Sequence, residues 1–169
     1  MIEAAFACTM ARYDRWQNRS LIASADTLSD EERWQDRGAF FGSIAQTLNH
    51  ILWDHRVWLA RLSGDETTAR EIGAGHPYTD DPCDWDAYKR ERASLDAEIE
   101  VWSNSLSGAD VARFVPWVRG DTPMETQFGF LVVHMFNHAT HHRGQVHAML
   151  TAAGATTGST DLPMLPDQP

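Results

Sequence analysis

Between Thr126 and Ala153 the chain holds no proline, repeats its apolar residues at helical spacing, and carries four of its eight histidines within nine positions. A helix of that length must bury one face against the rest of the protein. The stretch His134-Met135-Phe136-Asn137-His138-Ala139-Thr140-His141-His142-Arg143-Gly144-Gln145 therefore sets what the other segments have to supply. Helix positions four apart lie about 40° from one another around the axis. His134, His138 and His142 form one column, with His141 beside it. Imidazoles at i, i+4 are what a helix offers to chelate one transition-metal ion with two nitrogens. The remaining helices are then expected to bring a third ligand to that column.

The other segments carry the same helical periodicity. From about residue 2 to 25, Phe6, Met10, Tyr13 and Leu21 repeat at threes and fours without proline or glycine, which predicts a first amphipathic helix. Ser29-Asp30-Glu31-Glu32 matches a capping box and predicts a short helical piece, loosened near Gly38 and Gly42. A second long helix is expected over about 42–62, where Ile44, Leu48, Ile51, Leu52, Val57, Trp58, Leu59 and Leu62 cover more than half the circumference. Such a helix is packed on two sides, as in a bundle.

Residues 63–83 are rich in Gly, Thr, Asp and Pro and read as a long connection. A third helix follows over about 84–106, with Trp85, Tyr88, Leu95, Ile99 and Trp102 on its apolar side. Residues 108–123 form another connection, in which Phe114 to Val118 can make a short strand that Pro116 confines to an edge. Gly154 ends the histidine helix. The fold class expected is all-α, four long helices in a bundle with long connections. Residues 1–155 form the bundle, and 156–169, with its three prolines, form an extended tail.

The second helix supplies the third ligand. His50 interrupts an apolar neighbourhood there and faces the bundle, so His50, His138 and His142 are the candidate metal ligands. Three imidazoles without thiolates suit Zn²⁺ or Ni²⁺ and leave a coordination position for water or substrate. The competing reading is that each is a hydrogen-bonded core histidine, which is the commoner fate of one imidazole on an apolar face.

Three neighbours are candidates for the chemistry. Asp54, one turn after His50, can orient an imidazole, act as a base on bound water, or simply be a solvated helix residue. His134 extends the column, but one ion cannot readily take three successive i+4 residues of a straight helix. It is expected to line the site or orient a ligand. Gln145, about 20° from His138 around the axis, points to the same side and can polarise a bound ligand. His141 and His147 are expected at the surface or behind the ligands, Arg143 away from the site, and His55 and His76 as ordinary polar residues.

Composition narrows the partners. A formal charge of −10 argues against a nucleic-acid groove and against docking on an anionic membrane surface. Cys8 and Cys83 stand far apart in no CxxC pair, which predicts a reducing, cytoplasmic setting. The N-terminus lacks a basic region before its apolar residues, and no run approaches the roughly 18 apolar residues of a membrane span.

The segment Asn137-His138-Ala139-Thr140-His141-His142-Arg143-Gly144-Gln145 resembles the signature of the DinB/YfiT-like family, the damage-inducible B group that is unrelated to the DNA polymerase sharing its name. Tyr13-Asp14-Arg15-Trp16-Gln17-Asn18, Phe41-Gly42-Ser43-Ile44, Leu48-Asn49-His50-Ile51-Leu52 with Trp53 to Leu59, and Gly154 followed by Asp161-Leu162-Pro163 agree with it. The resemblance covers most of the chain and is weakest over residues 63–125. It implies an up-down-down-up four-helix bundle, often a homodimer, with a metal on three histidines that fall here on His50, His138 and His142. Characterised relatives include thiol transferases that use zinc to activate the sulfur of bacillithiol, mycothiol or glutathione, and a mycothiol-dependent maleylpyruvate isomerase.

The resemblance therefore favours a metal-dependent enzyme acting on a small molecule, with a low-molecular-weight thiol as partner. Two other readings stay open. In one, the protein is a non-catalytic metal-binding stress protein whose site is filled by Asp54 or His134. In the other, the helices are a dimeric scaffold and the histidines pack.

Overall fold

The computed structural model describes residues 2–75 and 84–166. His76 and Cys83 lie outside the described residues. The chain is mostly helical, with one small antiparallel hairpin. In order, the elements are α1 (Ala4–Ala25), α2 (Asp30–Trp34), α3 (Ile44–Leu62), α4 (Glu66–Gly73), α5 (Trp85–Ser105), α6 (Gly108–Ala112), β1 (Phe114–Arg119), β2 (Thr122–Gln127) and α7 (Phe128–Ala152). A 3₁₀ turn at Leu162–Met164 lies in the tail.

The four long helices α1, α3, α5 and α7 are those expected from apolar spacing. Helix α1 packs on α5 and α7, and α3 packs on α7 and α5. Their shared interior is filled by Ile44, Leu48, Ile51, Leu52, Ile99, Val132, Met135, Phe136 and Leu150, all essentially removed from solvent. On α7 the buried positions Phe128, Leu131, Val132, Met135, Phe136, Ala139, His142, Arg143, Val146, Met149 and Leu150 follow one stripe at spacings of three and four. His142 and Arg143 sit in that stripe, so the helix lowers polar side chains into its own packing face.

The capping box at Ser29 forms as expected: the Ser29 hydroxyl accepts from the Glu32 amide, and the Glu32 carboxylate accepts from the Ser29 amide. Ser43 caps α3 by accepting from the Gln46 amide at 3.1 Å. This fixes the start of the helix that carries His50.

Three elements differ from the expectation, one of them α6, a single capped turn in the connection expected over residues 108–123. The connection after α3 contains α4, a two-turn helix capped by Asp65, whose carboxylate accepts from the Thr68 amide. It packs on α3, and Trp53 Nε1 donates to the Ile72 carbonyl at 2.9 Å to hold it there. The expected single edge strand is half of a hairpin, in which Phe114 pairs with Gln127 and Arg119 with Thr122. Its two-residue turn is Gly120-Asp121, and Gly120 takes a φ of 59° that side chains disfavour. Pro116 is tolerated because each strand of a two-stranded sheet is an edge. The histidine helix consequently begins at Phe128 rather than at Thr126.

The tail runs back along α1. The carbonyls of Thr156, Ser159 and Thr160 accept from Ser24, Gln17 and Tyr13, the last at 2.7 Å. No helix among the described residues is long and apolar enough to cross a membrane.

Candidate metal centre

Histidines from α3 and α7 meet where those two helices pack. His50 Nε2 lies 3.3 Å from His138 Nε2, and His138 Nε2 lies 3.1 Å from His142 Nε2. The three form a group whose ligand atoms all fall within 4.8 Å of one another. Nitrogens bound about 2.0–2.1 Å from a tetrahedral ion stand roughly 3.3–3.4 Å apart, close to these separations.

Each ring is held by different means. His50, 6% exposed, lies between Phe41, stacked at 3.9 Å between centroids, and Trp53 at 5.7 Å. The Nδ1 of His138 lies 3.0 Å from Asp54 Oδ2. The Nδ1 of His142 lies 2.8 Å from Gln145 Oε1. With carboxylate and carbonyl oxygens facing these Nδ1 atoms, the ring protons belong on Nδ1 and the lone pairs on Nε2. Lone pairs of His138 and His142 then face each other with no proton between them, a repulsive arrangement that a cation at the focus would relieve. The donor set thus fits a borderline divalent ion.

Burial favours the neutral form of two of the three imidazoles, His50 and His142. Burial, reinforced by His142 and His138, lowers the His50 pKa to about 3. Burial also lowers His142, against the opposing pull of its Gln145 bond, and lowers His134. Neutral imidazole is the ligand form, so His50 and His142 need lose no proton at neutral pH before a metal binds.

The other sequence candidates fall around this focus. Asp54, nearly buried, contacts the back of His138. Gln145 contacts the back of His142 and reaches toward His141 at 3.4 Å. His134 is outside the group of three; it lies edge-on to Trp58 at 4.9 Å, with its centroid 5.8 Å from that of His138. It lines a cavity of about 930 Å³ that opens from His50, Asp54 and His138 toward α4 and the hairpin. His147, on the far side of α7, contacts Thr157 of the tail.

Sequence reasoning missed a second polar cluster behind the histidines. Asp14 Oδ1 is ion-paired with Arg143 Nη2 at 2.6 Å, and Asp14 Oδ2 lies 3.3 Å from His55 Nε2. Arg92 pairs with Asp96 at 3.0 Å, and Asn18 Nδ2 donates to Asp96 Oδ1 at 2.9 Å. All are buried. Burial raises the Asp14 pKa, and burial together with Arg92 and Arg143 holds His55 well below its ordinary value. The signal was present: Asp14 follows Met10 by four and precedes Leu21 by seven, which puts a carboxylate on the apolar stripe of α1. The role of Phe41, which lies outside any helix, had no such signal.

Long helices, a hairpin beside them and three converging imidazoles define a helical protein with residues that could hold a metal ion. The chain belongs to the DinB family, whose model matches residues 1–169. It is similar to Protein DinB of Bacillus subtilis (strain 168), with 24% identity over 171 residues that cover 92% of this chain and 91% of that protein. No solved structure matches it.

Proposed function

We propose that the protein is a metal-dependent enzyme in which His50, His138 and His142 hold one divalent ion, Zn²⁺ or Ni²⁺. The observation that carries this reading is the convergence of three Nε2 atoms from two helices. A bound ion would lower the pKa of a thiol or water toward neutrality. Asp54 and Gln145 orient their imidazoles from behind, fixing which nitrogen faces the focus. His134, which lines the cavity without joining the cluster, is placed to exchange a proton with a substrate there.

An enzyme is favoured over a filled, non-catalytic site because the nearest carboxylate, Asp54, is already engaged by His138 Nδ1. The group within ligand distance stops at three among the described residues. A cavity reaching His50 and His138 supports access for a small molecule, and the family resemblance favours a low-molecular-weight thiol as co-substrate. The remainder of the proposal is a cytoplasmic homodimer whose long helices form an up-down-down-up bundle over residues 1–155. The mutual packing of α1, α3, α5 and α7 supports that bundle.

Metal content by plasma mass spectrometry on untagged protein tests the site, with His50→Ala and His138→Ala alongside. About one ion per chain, lost in both variants while helical content survives, is the expected result. No metal after reconstitution with Zn²⁺ or Ni²⁺ would leave the histidines as packing residues and the scaffold reading in front.

A further inference from the structure

The cavity beside the histidines gathers three arginines in a chain of strongly negative charge. Its lining contains Arg61, Arg70 and Arg119 against Asp54 and Asp121, in a chain of formal charge −10. Asp54 is engaged by His138. Arg61 is also committed: its guanidinium accepts no new partner easily, being paired with Glu66 at 3.0 Å and laid over the rings of Trp58 and Trp117 at 4.8 and 5.3 Å. Arg70, near the end of α4, and Arg119, beside the hairpin turn, are different. Both are exposed at the cavity, and neither forms an ion pair among the described residues.

Between these arginines and the imidazoles the wall is aromatic and apolar. Trp53 and Trp117 spend their N–H groups on the Ile72 carbonyl and the Thr126 hydroxyl, so no indole N–H of theirs is left for a ligand. Met124 and Phe130 stay 38% and 54% exposed in the same lining. The small residues Ala69 and Gly73 of α4 and Ala74 just after it also line the cavity and leave room in it. Cavities of this size bury most of a small organic molecule, and a few placed polar groups set its orientation.

We propose that this cavity takes a small molecule with a flat or apolar body and an oxyanion, its anionic group held by Arg70 and Arg119 and its other end directed toward His50 and His138. Guanidinium groups match the geometry of carboxylate or phosphate, and charge-assisted bonds of this kind are the strong ones. The negative surface elsewhere repels the same ligand, which confines its binding to this mouth. The assignment deepens the metal-dependent reading and rests on it for the direction of the ligand, but the anion subsite itself needs no metal.

Binding is measured on metal-free protein by tryptophan fluorescence, with phenylacetate, phenyl phosphate and the uncharged phenylacetamide as probes. Wild type is expected to bind one of the two anions at least about tenfold more tightly than the amide. The better anion identifies carboxylate or phosphate as the group recognised. The preference should collapse to within about twofold in R70Q/R119Q, whose substitutions are at exposed positions, and persist in H138A. No binding of any probe, no preference in wild type, or a preference retained in R70Q/R119Q overturns the proposal. Loss of the preference in H138A also overturns it, because the anion would then sit on the imidazoles. Failure of the metal reading shows instead in metal content, which the fluorescence ratio does not depend on.

Discussion

Asp54 Oδ2 reaches 3.0 Å from His138 Nδ1 across the contact between α3 and α7. The same helix that carries the candidate ligand His50 thus holds the back of a candidate ligand on the other helix. Removing such a partner leaves the donor nitrogens in place but frees the ring to rotate and lowers its basicity. Asp54→Ala should keep a stoichiometry of one ion and weaken metal affinity about 10–100-fold. Competition with a chromophoric chelator at pH 7 measures this. Asp54→Asn, which retains an acceptor oxygen, should lose less.

Metal should also stabilise the fold, because an ion bridging α3 and α7 binds the folded chain and not the unfolded one. At free Zn²⁺ a hundred times its dissociation constant the gain is about 2.7 kcal/mol. For a domain of this size that raises the melting midpoint by roughly 5–10 °C. Thermal scans with and without Zn²⁺ read the shift directly, and His142→Ala should abolish it. An equal shift in that variant would assign the stabilisation to some other site.

Acid should destabilise the metal-free chain. His50 titrates at about 3 and His55 well below its ordinary value, both from burial first. In the unfolded chain both take up protons near pH 6.5. The unfolded state therefore binds more protons below that pH, and stability present at neutral pH is lost as pH falls from about 6.5 toward 3. Each histidine contributes at most about 1.4 kcal/mol per pH unit. Asp14 opposes this trend, since its raised pKa lets the folded chain bind a proton before the unfolded chain does. Urea unfolding of metal-free protein at pH 7, 6 and 5 should show the midpoint falling at each step. A flat profile would mean that the two imidazoles take up protons in the fold as readily as in the unfolded chain.

The buried pair of Asp14 and Arg143 should behave as a unit. Arg143→Met strands a carboxylate 1% exposed beside a neutral His55, a loss of about 3–5 kcal/mol. Replacing both charges, as in Asp14→Leu with Arg143→Met, removes the uncompensated group and should cost less than the sum of the two single changes. A double-mutant cycle in urea checks this. Strict additivity would show that the two side chains contribute independently.

Much of this was legible in the chain because it rests on period. Apolar spacing marks α1, α3, α5 and α7, and His138 and His142 at i, i+4 with His50 in an apolar run mark the cluster. What escaped depends on contacts between distant segments. Residues 66–73 make only two turns and bury only Ala69 in full, too short a stretch for an apolar period to repeat, and α4 is held on α3 by Trp53. Residues 122–127 contain a proline and two threonines, and only pairing with β1 makes them a strand. Gln145, expected to face a ligand, lies against His142 because i, i+3 neighbours meet on one helix face. Asp14 and His55 come from different helices and no local pattern links them.

The approach of α7 to α6 depends on a missing side chain. A Cβ at Gly129 would lie 2.8 Å from the Val111 carbonyl oxygen and 3.1 Å from Ile2 Cγ1. The first contact is with backbone, which cannot rotate aside, so Gly129→Ala must push the first turn of α7 away from α6. Alanine is the better helix former by about 1 kcal/mol, yet overpacking of this kind typically costs about 1–3 kcal/mol. The variant should therefore be destabilised on balance, in contrast to Gly144→Ala on the same helix, where a Cβ meets nothing within 4 Å. That second variant should gain up to about 1 kcal/mol from propensity alone. Urea unfolding of the two variants side by side reads opposite signs if the close approach is real. A gain in both would show that α6 yields to the added methyl group.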